Sequence, residues 1–250
     1  MPNKIPFLEH PDAFPTHQDI LRGAPSFDGV YAISLDIDAT WVKTAYMRGL
    51  FPWFSDGQPV LWHSPEPRMV LPVAQFKCAP SLKKRLKQWA RHPLIDTKVT
   101  LNHAFEQVIK ACADSARAGQ SGTWITDELR SAYTQLHQQQ NAVSVEVWQD
   151  GVLVAGLYGV LIGRMFFGES MFTTVSDGSK VALACWVDYL NRCGGTLIDC
   201  QQVTTHLASM GGAPITQAAF FEWSAQLMAQ EALDFAAMAA QPNLLSTYAA

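Results

Sequence analysis

The chain has few cysteines and pairs none of them by spacing. The five, at 78, 112, 185, 193 and 200, are odd in number and form no C-x-x-C pair. That argues against a disulfide framework and against a cysteine-based zinc site, so reduced cytoplasmic thiols, mostly in the core, are expected. Seven scattered histidines show no H-x-x-x-H spacing, which leaves no metal to expect. No apolar run reaches the roughly 18 residues of a membrane span. Met1-Pro-Asn-Lys-Ile-Pro-Phe7 lacks the basic-then-apolar layout of a signal peptide. Internal repeats are absent. Positive charge is also in the minority: the net charge is −4, which by itself argues against nucleic-acid binding. What remains is a soluble globular protein, 48% apolar with mean hydropathy +0.02. Its 250 residues suit one or two domains with a core of useful size.

The scarce positive charge is unevenly spread. Lys77, Lys83, Lys84, Arg85, Lys87, Arg91 and Lys98 are seven of the eighteen Lys and Arg, and only Asp96 opposes them in that stretch. Ser81 precedes Leu82–Arg91, an amphipathic helix with Leu82, Leu86 and Trp89 on one side and the bases on the other. By charge alone, a solvated helix face accounts for this island somewhat better than a polyanion site does.

Residues 1–36 read as an arm with turns and one short strand at Gly29–Leu35. Asp38 caps a helix that runs to Arg48 and stops at Gly49. Leu50-Phe-Pro-Trp-Phe54 and Ser64-Pro-Glu-Pro-Arg68 flank a strand at Val60–Trp62. So many aromatics and prolines make either a rigid mini-core or the wall of a pocket. A strand follows at Thr97–Leu101, then helices at Phe105–Ala118, stopped by Gly119, and from Thr126 to about Gln139, separated by the loop Gly122–Thr126. Val143–Trp148, Asp150-Gly151 and Val152–Ile162 form a β-hairpin with a D-G turn. Arg164–Phe167 is a strand, Lys180–Arg192 a helix, Thr196–Gln201 a strand, and Thr204–Met210 and Thr216–Gln230 are helices. Residues 231–250 are Ala-rich and weakly patterned, a loosely held tail. The expected fold is α+β, with an N-terminal domain over 1–96 and a second domain over 97–250. The order hairpin, strand, helix, strand, helix suits an acetyltransferase-like (GNAT-like) sheet.

Two apolar runs carry polar groups where a buried strand has no use for them: Met165-Phe-Phe-Gly-Glu-Ser-Met-Phe172 and Leu197-Ile-Asp-Cys-Gln201. Strand alternation puts Leu197, Asp199 and Gln201 on one face, with Ile198 and Cys200 on the other. Same-face neighbours lie about 6.5–7 Å apart at the Cα, within reach of one small substrate. Cys200 faces away from the pair, so a Cys200–His206 nucleophile is not expected. Read from the residues alone, a structural role accounts for the pair somewhat better, with Asp199 capping the helix at Thr204 and Gln201 satisfying backbone groups.

Taken together these segments resemble the leucyl/phenylalanyl-tRNA–protein transferases. The resemblance rests on Ala45-Tyr46, Arg48–Phe54, Leu61-Trp62, Ser64-Pro65, Pro67-Arg68, Gly122–Thr126, Ser144–Trp148, Gly156–Gly159, Gly168–Phe172, Ser179-Lys180, Leu197–Gln201 and His206–Gly211, in order over roughly residues 40–225. It implies transfer of Leu, Phe or Met from aminoacyl-tRNA to the α-amine of proteins that begin with Arg or Lys, feeding N-degron (N-end rule) degradation. It also implies a small N-terminal domain before a GNAT-like domain, and no metal or organic cofactor. A cytoplasmic monomer is expected.

The resemblance assigns Asp199 and Gln201 as the catalytic pair, with Asp199 polarising Gln201 and the Gln201 amide oxygen orienting the attacking amine. Glu169 would hold an α-ammonium of donor or acceptor. Leu157, Phe166, Phe172 and Trp186 would line the donor side-chain pocket. Trp53 and Trp124 would stack on the 3′-terminal adenosine, and Tyr46 and Tyr133 belong to the same region. Lys83, Lys84, Arg85, Lys87 and Arg91 would hold tRNA phosphates. There are departures from the family pattern. Gly29–Asp38 lacks the family's paired glycines, Thr204 replaces a common Asn, Leu157 a common Met and Trp186 a common Phe. An acyl-CoA enzyme is the first rival reading, but no Q/R-x-x-G-x-G/A loop is present. A non-catalytic RNA- or peptide-binding module is the second.

Overall fold

The computed structural model describes residues 4–24, 26–115 and 124–249. In chain order its elements are α1 (His17–Leu21), β1 (Val30–Ser34), α2 (Ala39–Met47), β2 (Phe51–Pro52), β3 (Val60–His63), β4 (Arg68–Pro72), α3 (Pro80–Ala90) and β5 (Thr97–Leu101). They continue with α4 (Phe105–Asp114), α5 (Asp127–Gln138), β6 (Ala142–Gln149), β7 (Val152–Ile162), β8 (Met165–Thr173), α6 (Gly178–Arg192), β9 (Leu197–Gln201), α7 (Thr205–Ser209), β10 (Ala213–Ile215), α8 (Gln217–Met228) and α9 (Phe235–Ala239).

The strands make two sheets. One is small, in the order β1-β3-β2; the other has seven strands in the order β10-β4-β9-β8-β7-β6-β5. The β6–β7 hairpin turns through Asp150 (φ 49°) and Gly151 (φ 79°), the paired positive φ that a two-residue hairpin requires. Every neighbour pair in the large sheet is antiparallel except β8 and β9, which are parallel and joined by the α6 crossover.

Both faces of the large sheet are covered, which is why β6 and β7 are buried along nearly their whole length. On one face lies a core built with α2, α4, α5, α8 and the small sheet, including Trp62, Tyr46, Tyr133 and Phe167. The other face packs against α3, α6 and the C-terminal segment, around Leu86, Trp186, Phe166 and Leu245.

Three expectations need correction. β4 and β10 were not foreseen. Since β4 sits between β9 and β10, the expected 96/97 boundary cuts through one sheet. The strand expected at Arg164–Phe167 extends to Thr173. The tail is not loose: Met238, Leu244 and Leu245 are buried, and Asn243 completes the free edge of β5. Its Oδ1 accepts from the Val99 N–H at 2.9 Å, and its Nδ2 donates to the Thr97 carbonyl at 3.3 Å. One amide thus replaces the two main-chain groups a further strand would supply. The expected helix to Ala118, its Gly119 stop and the Gly122-Thr123 part of the next loop lie outside the described residues.

Candidate active site

The site forms where β8 and β9 stop behaving as regular strands. Their parallel pairing is confined to Phe166↔Ile198 and Phe167↔Asp199. Just beyond, each strand is irregular. In β8 the register shifts against β7, since Tyr158 faces Ser170 while Gly159 faces Gly168, leaving Glu169 as the extra residue of a bulge. Gly159 is required there: a Cβ on it would lie 2.2 Å from the Phe167 carbonyl oxygen and 2.5 Å from the Phe166 ring. In β9 the register shifts against β4 at Cys200, and Gln201 adopts φ +62°, a left-handed conformation uncommon for a residue with a side chain.

Two cavities meet at this opening. The first, about 220 Å³, is lined by Phe51, Trp53, Trp124, Gln201, Gln202 and Thr204. The second, about 330 Å³, is mainly apolar, with Leu71, Leu157, Phe166, Met171, Leu183 and Ile198 in its wall. Glu169, Cys200 and Leu207 line both.

Glu169 is the hub. Its Oε1 accepts from the Tyr46 hydroxyl and from Gln201 Nε2 at 2.9 Å, and its Oε2 accepts from the Tyr133 hydroxyl at 2.7 Å. The two phenolic oxygens are 3.0 Å apart. Burial raises the Glu169 carboxyl, the two phenols pull it down, the Asp199 charge raises it and the Gln201 amide lowers it, and the balance leaves it at about 7. Burial, with the Glu169 charge, holds both tyrosines well above their ordinary range, so they stand as protonated donors.

Asp199 is sealed. Its side chain is fully buried, as is that of Arg68, which clamps it through Nε–Oδ1 at 2.9 Å and Nη2–Oδ2 at 2.6 Å. The guanidinium lies between the Phe51 and Phe220 rings, at 4.9 and 4.4 Å from their centroids, and Nη1 donates to the Gly49 carbonyl at 3.3 Å. Gly49 (φ +74°) must be glycine, because a Cβ would meet the Phe221 ring at 2.4 Å. Asp199 Oδ1 also accepts the Gln201 backbone N–H at 2.9 Å. It does not cap α7, which Thr204 caps through its own hydroxyl and the Leu207 N–H at 3.2 Å.

The expected site residues therefore separate into groups. Gln201, Glu169, Trp53 and Trp124 come together around the first cavity, and Leu157 and Phe166 around the second. Asp199 does not contact the Gln201 side-chain amide; it holds that residue's main chain. Tyr46 and Tyr133 are buried behind Glu169 and offer no stacking face. Phe172 is not part of the apolar cavity: the bulge at Glu169 inverts the alternation, so Met171 shares a face with Leu157 while Phe172 points into the opposite core. Trp186 stands behind Phe166, ring centroids 5.0 Å apart, and Leu183, about one turn earlier, lines the cavity instead. On α3, Lys83, Lys84 and Lys87 are exposed and make no ion pair among the described residues. Arg85 is engaged with Asp177 at 3.4 Å and Arg91 with the Ala249 carbonyl at 2.9 Å.

The residues missed from sequence are Arg68, Leu71, Met171, Leu183 and Ile198. The one available signal was Arg68 itself, a lone cation heading the apolar run Met69-Val-Leu71. Cys200 does reach the cleft. Burial keeps its thiol well above the ordinary range, and its only hydrogen bond among the described residues is a 3.9 Å contact with the Ile198 carbonyl, so it is no nucleophile.

A mixed sheet thus opens between two parallel strands, and an apolar cavity and a polar cleft meet at the opening. The sequence profile described as "Leucyl/phenylalanyl-tRNA protein transferase" matches residues 70–225, and that of its N-terminal domain matches 35–66. A leucyl/phenylalanyl-tRNA–protein transferase of Burkholderia cenocepacia is 51% identical over 216 residues, covering 86% of this chain and 84% of that one. Its counterpart in Burkholderia vietnamiensis is 50% identical with the same coverage. Among solved structures, a GCN5-related N-acetyltransferase from Kribbella flavida reaches a TM-score of only 0.31 at 10% identity over 74% of this chain and 64% of that one, too loose to carry the fold. The chain belongs to the leucyl/phenylalanyl-tRNA–protein transferase family. It is an aminoacyltransferase with the family's two-part architecture, and its activity is aminoacyl-tRNA-dependent transfer of Leu or Phe to protein N-termini in the N-end rule pathway. No helix among the described residues is long and apolar enough to cross a membrane.

Proposed function

We propose that the cleft between β8 and β9 holds the ester of Leu-, Phe- or Met-tRNA against the α-amine of a protein beginning with Arg or Lys, in a cytoplasmic monomer. The observation that carries this reading is the meeting of the two cavities at Glu169 and Gln201. The donor side chain occupies the apolar cavity. Discrimination there is coarse, about 1–3 kcal/mol per methylene, which suits several apolar donors. The terminal adenosine lies between Trp53 and Trp124, where stacking contributes about 1–3 kcal/mol per base. Glu169 binds the incoming amine as an ammonium. The Gln201 amide oxygen has no hydrogen-bond partner among the described residues and orients that amine toward the carbonyl carbon.

The reaction is aminolysis of an activated ester, so positioning alone can supply much of the rate. Asp199 contributes by fixing the Gln201 main chain. The deciding experiment is transfer of radiolabelled Leu or Phe from charged tRNA to an Arg-starting peptide. Label on that peptide, and none on an Asp-starting control, is the expected result; tRNA binding without transfer would sink the reading.

The exposed lysines of α3 provide a sequence-independent hold on tRNA phosphates. Replacing Lys83, Lys84 and Lys87 together by Ala should weaken tRNA binding and flatten its salt dependence, by about 0.7–0.9 in the log–log slope for each phosphate no longer neutralised. Filter binding across a salt series measures this. An unchanged slope would put the polyanion surface elsewhere.

A further inference from the structure

We propose that Glu169, joined in a ring with Tyr46 and Tyr133, takes the proton released by the attacking α-amine and returns it to the leaving ribose oxygen. This deepens the reading above and rests on it. The argument is a count of protons over fixed oxygen positions. With the carboxylate ionised, Tyr46 donates to Oε1 and Tyr133 to Oε2, and the 3.0 Å contact between the two phenols holds no proton. When one proton is added to Oε2, Glu169 donates to Tyr133, Tyr133 to Tyr46, and Tyr46 to Oε1. Each of the three oxygen–oxygen contacts then carries one hydrogen, and no heavy atom has moved. Gln201 Nε2 donates to Oε1 in both states. The same skeleton therefore accepts either protonation state, which a proton carrier requires.

Other carboxylates do not compete. Among the described residues Asp199 is the only other carboxylate directly beside the hub, and both its oxygens are committed to Arg68 and the Gln201 N–H, with its side chain fully buried. Glu169 borders both cavities. The groups around it come from every element packed there: Tyr46 from α2, Tyr133 from α5, Tyr158 from β7, and Asp199 and Gln201 from β9, with Arg68 of β4 neutralising Asp199. Their balance leaves the carboxyl at about 7, where it both accepts and releases a proton near neutrality.

The step balances. The amine nitrogen bonds to the ester carbon and its proton passes to Glu169. The carbon–ribose oxygen bond then breaks, and that oxygen takes the proton from Glu169, leaving an amide, a free tRNA hydroxyl and an ionised carboxylate. An acceptor that arrives as an ammonium first loses its extra proton to water.

The test is the pH profile of kcat/KM for peptide, run with two acceptors whose α-amines differ in pKa. One limb should move with the acceptor. A second, rising with pH as Glu169 ionises, should keep its midpoint near 7 for both acceptors. Glu169→Gln should abolish the fixed limb and lower kcat about 100-fold at pH 8. Tyr133→Phe removes a donor to the ionised form and should move the limb to higher pH. The idea is overturned if the wild type has no acceptor-independent limb, if that limb survives unchanged in Glu169→Gln, or if it does not move in Tyr133→Phe. The wild-type comparison stands even if a variant does not fold. Transfer by the wild type without the fixed limb defeats this proposal alone; no transfer at all defeats the functional reading beneath it.

Discussion

Replacing Asp199 by Ala should lower the free energy of unfolding by about 3–5 kcal/mol, because it strands the Arg68 guanidinium in the interior without its counter-ion. The cation has nowhere to go: both side chains are fully buried, and Phe51 and Phe220 cover its two faces. The Gly49 carbonyl satisfies only one of its N–H groups, at 3.3 Å. The loss of turnover that follows in this variant reflects a disordered site rather than a missing base. A paired change separates the two. Arg68→Met with Asp199→Leu removes both charges at once, and such exchanges of a buried pair are often neutral or stabilising. The double variant should therefore recover most of the lost stability while transfer stays low, since Gln201 has still lost the acceptor for its N–H. Urea unfolding followed by circular dichroism reads the stability. If Asp199→Ala is as stable as the wild type yet inactive, Asp199 has a direct chemical part and the clamp is not its purpose.

Gln201→Ala should lower kcat by about 10²–10³, the usual loss when one positioned polar group is removed from a reacting centre. Its effect on stability should stay within about 1 kcal/mol. Gln201 lines the cleft, and its position is over-determined. The left-handed backbone is held by the N–H bond to Asp199, and the amide is turned by donation to Glu169. Ala at this position keeps the same backbone cost, so the fold should not notice the change, whereas the amine loses the group that aims it. Steady-state kinetics should show a fall in kcat with KM for aminoacyl-tRNA nearly unchanged. A rise in KM at constant kcat would instead make Gln201 a simple binding contact.

The contrast between these two residues shows where sequence reading reached its limit. The apolar runs ending in Glu169, Asp199 and Gln201 were conspicuous, and so were the caps at Asp38 and Thr126 and the Asp150-Gly151 turn, because each is local chemistry. Alternation along an ideal strand put Asp199 beside Gln201, and the family resemblance put Phe172 in one pocket with Phe166. One extra residue in β8 and another in β9 undo both inferences, and bulges leave no mark in a period-2 pattern. The role of Arg68 was hidden for a different reason. Its partner lies 131 residues away, and only the β4–β9 pairing brings the two together. The C-terminal segment lacks periodicity, yet a few side chains anchor it; Asn243 does so with a single amide, which no pattern announces.

The claim on which the rest depends is that the reaction occurs where β8 and β9 part, with the donor side chain in the apolar cavity and its carbonyl facing Gln201. A crystal structure with a non-hydrolysable 3′-phenylalanylamido-adenosine tests it most directly. The expected density has the phenyl ring among Leu71, Leu157, Phe166 and Ile198, the adenine against Trp53 or Trp124, and the amino-acid carbonyl between Gln201 and Glu169. A phenyl ring bound outside that cavity, with the carbonyl away from Gln201 and Glu169, would contradict the account.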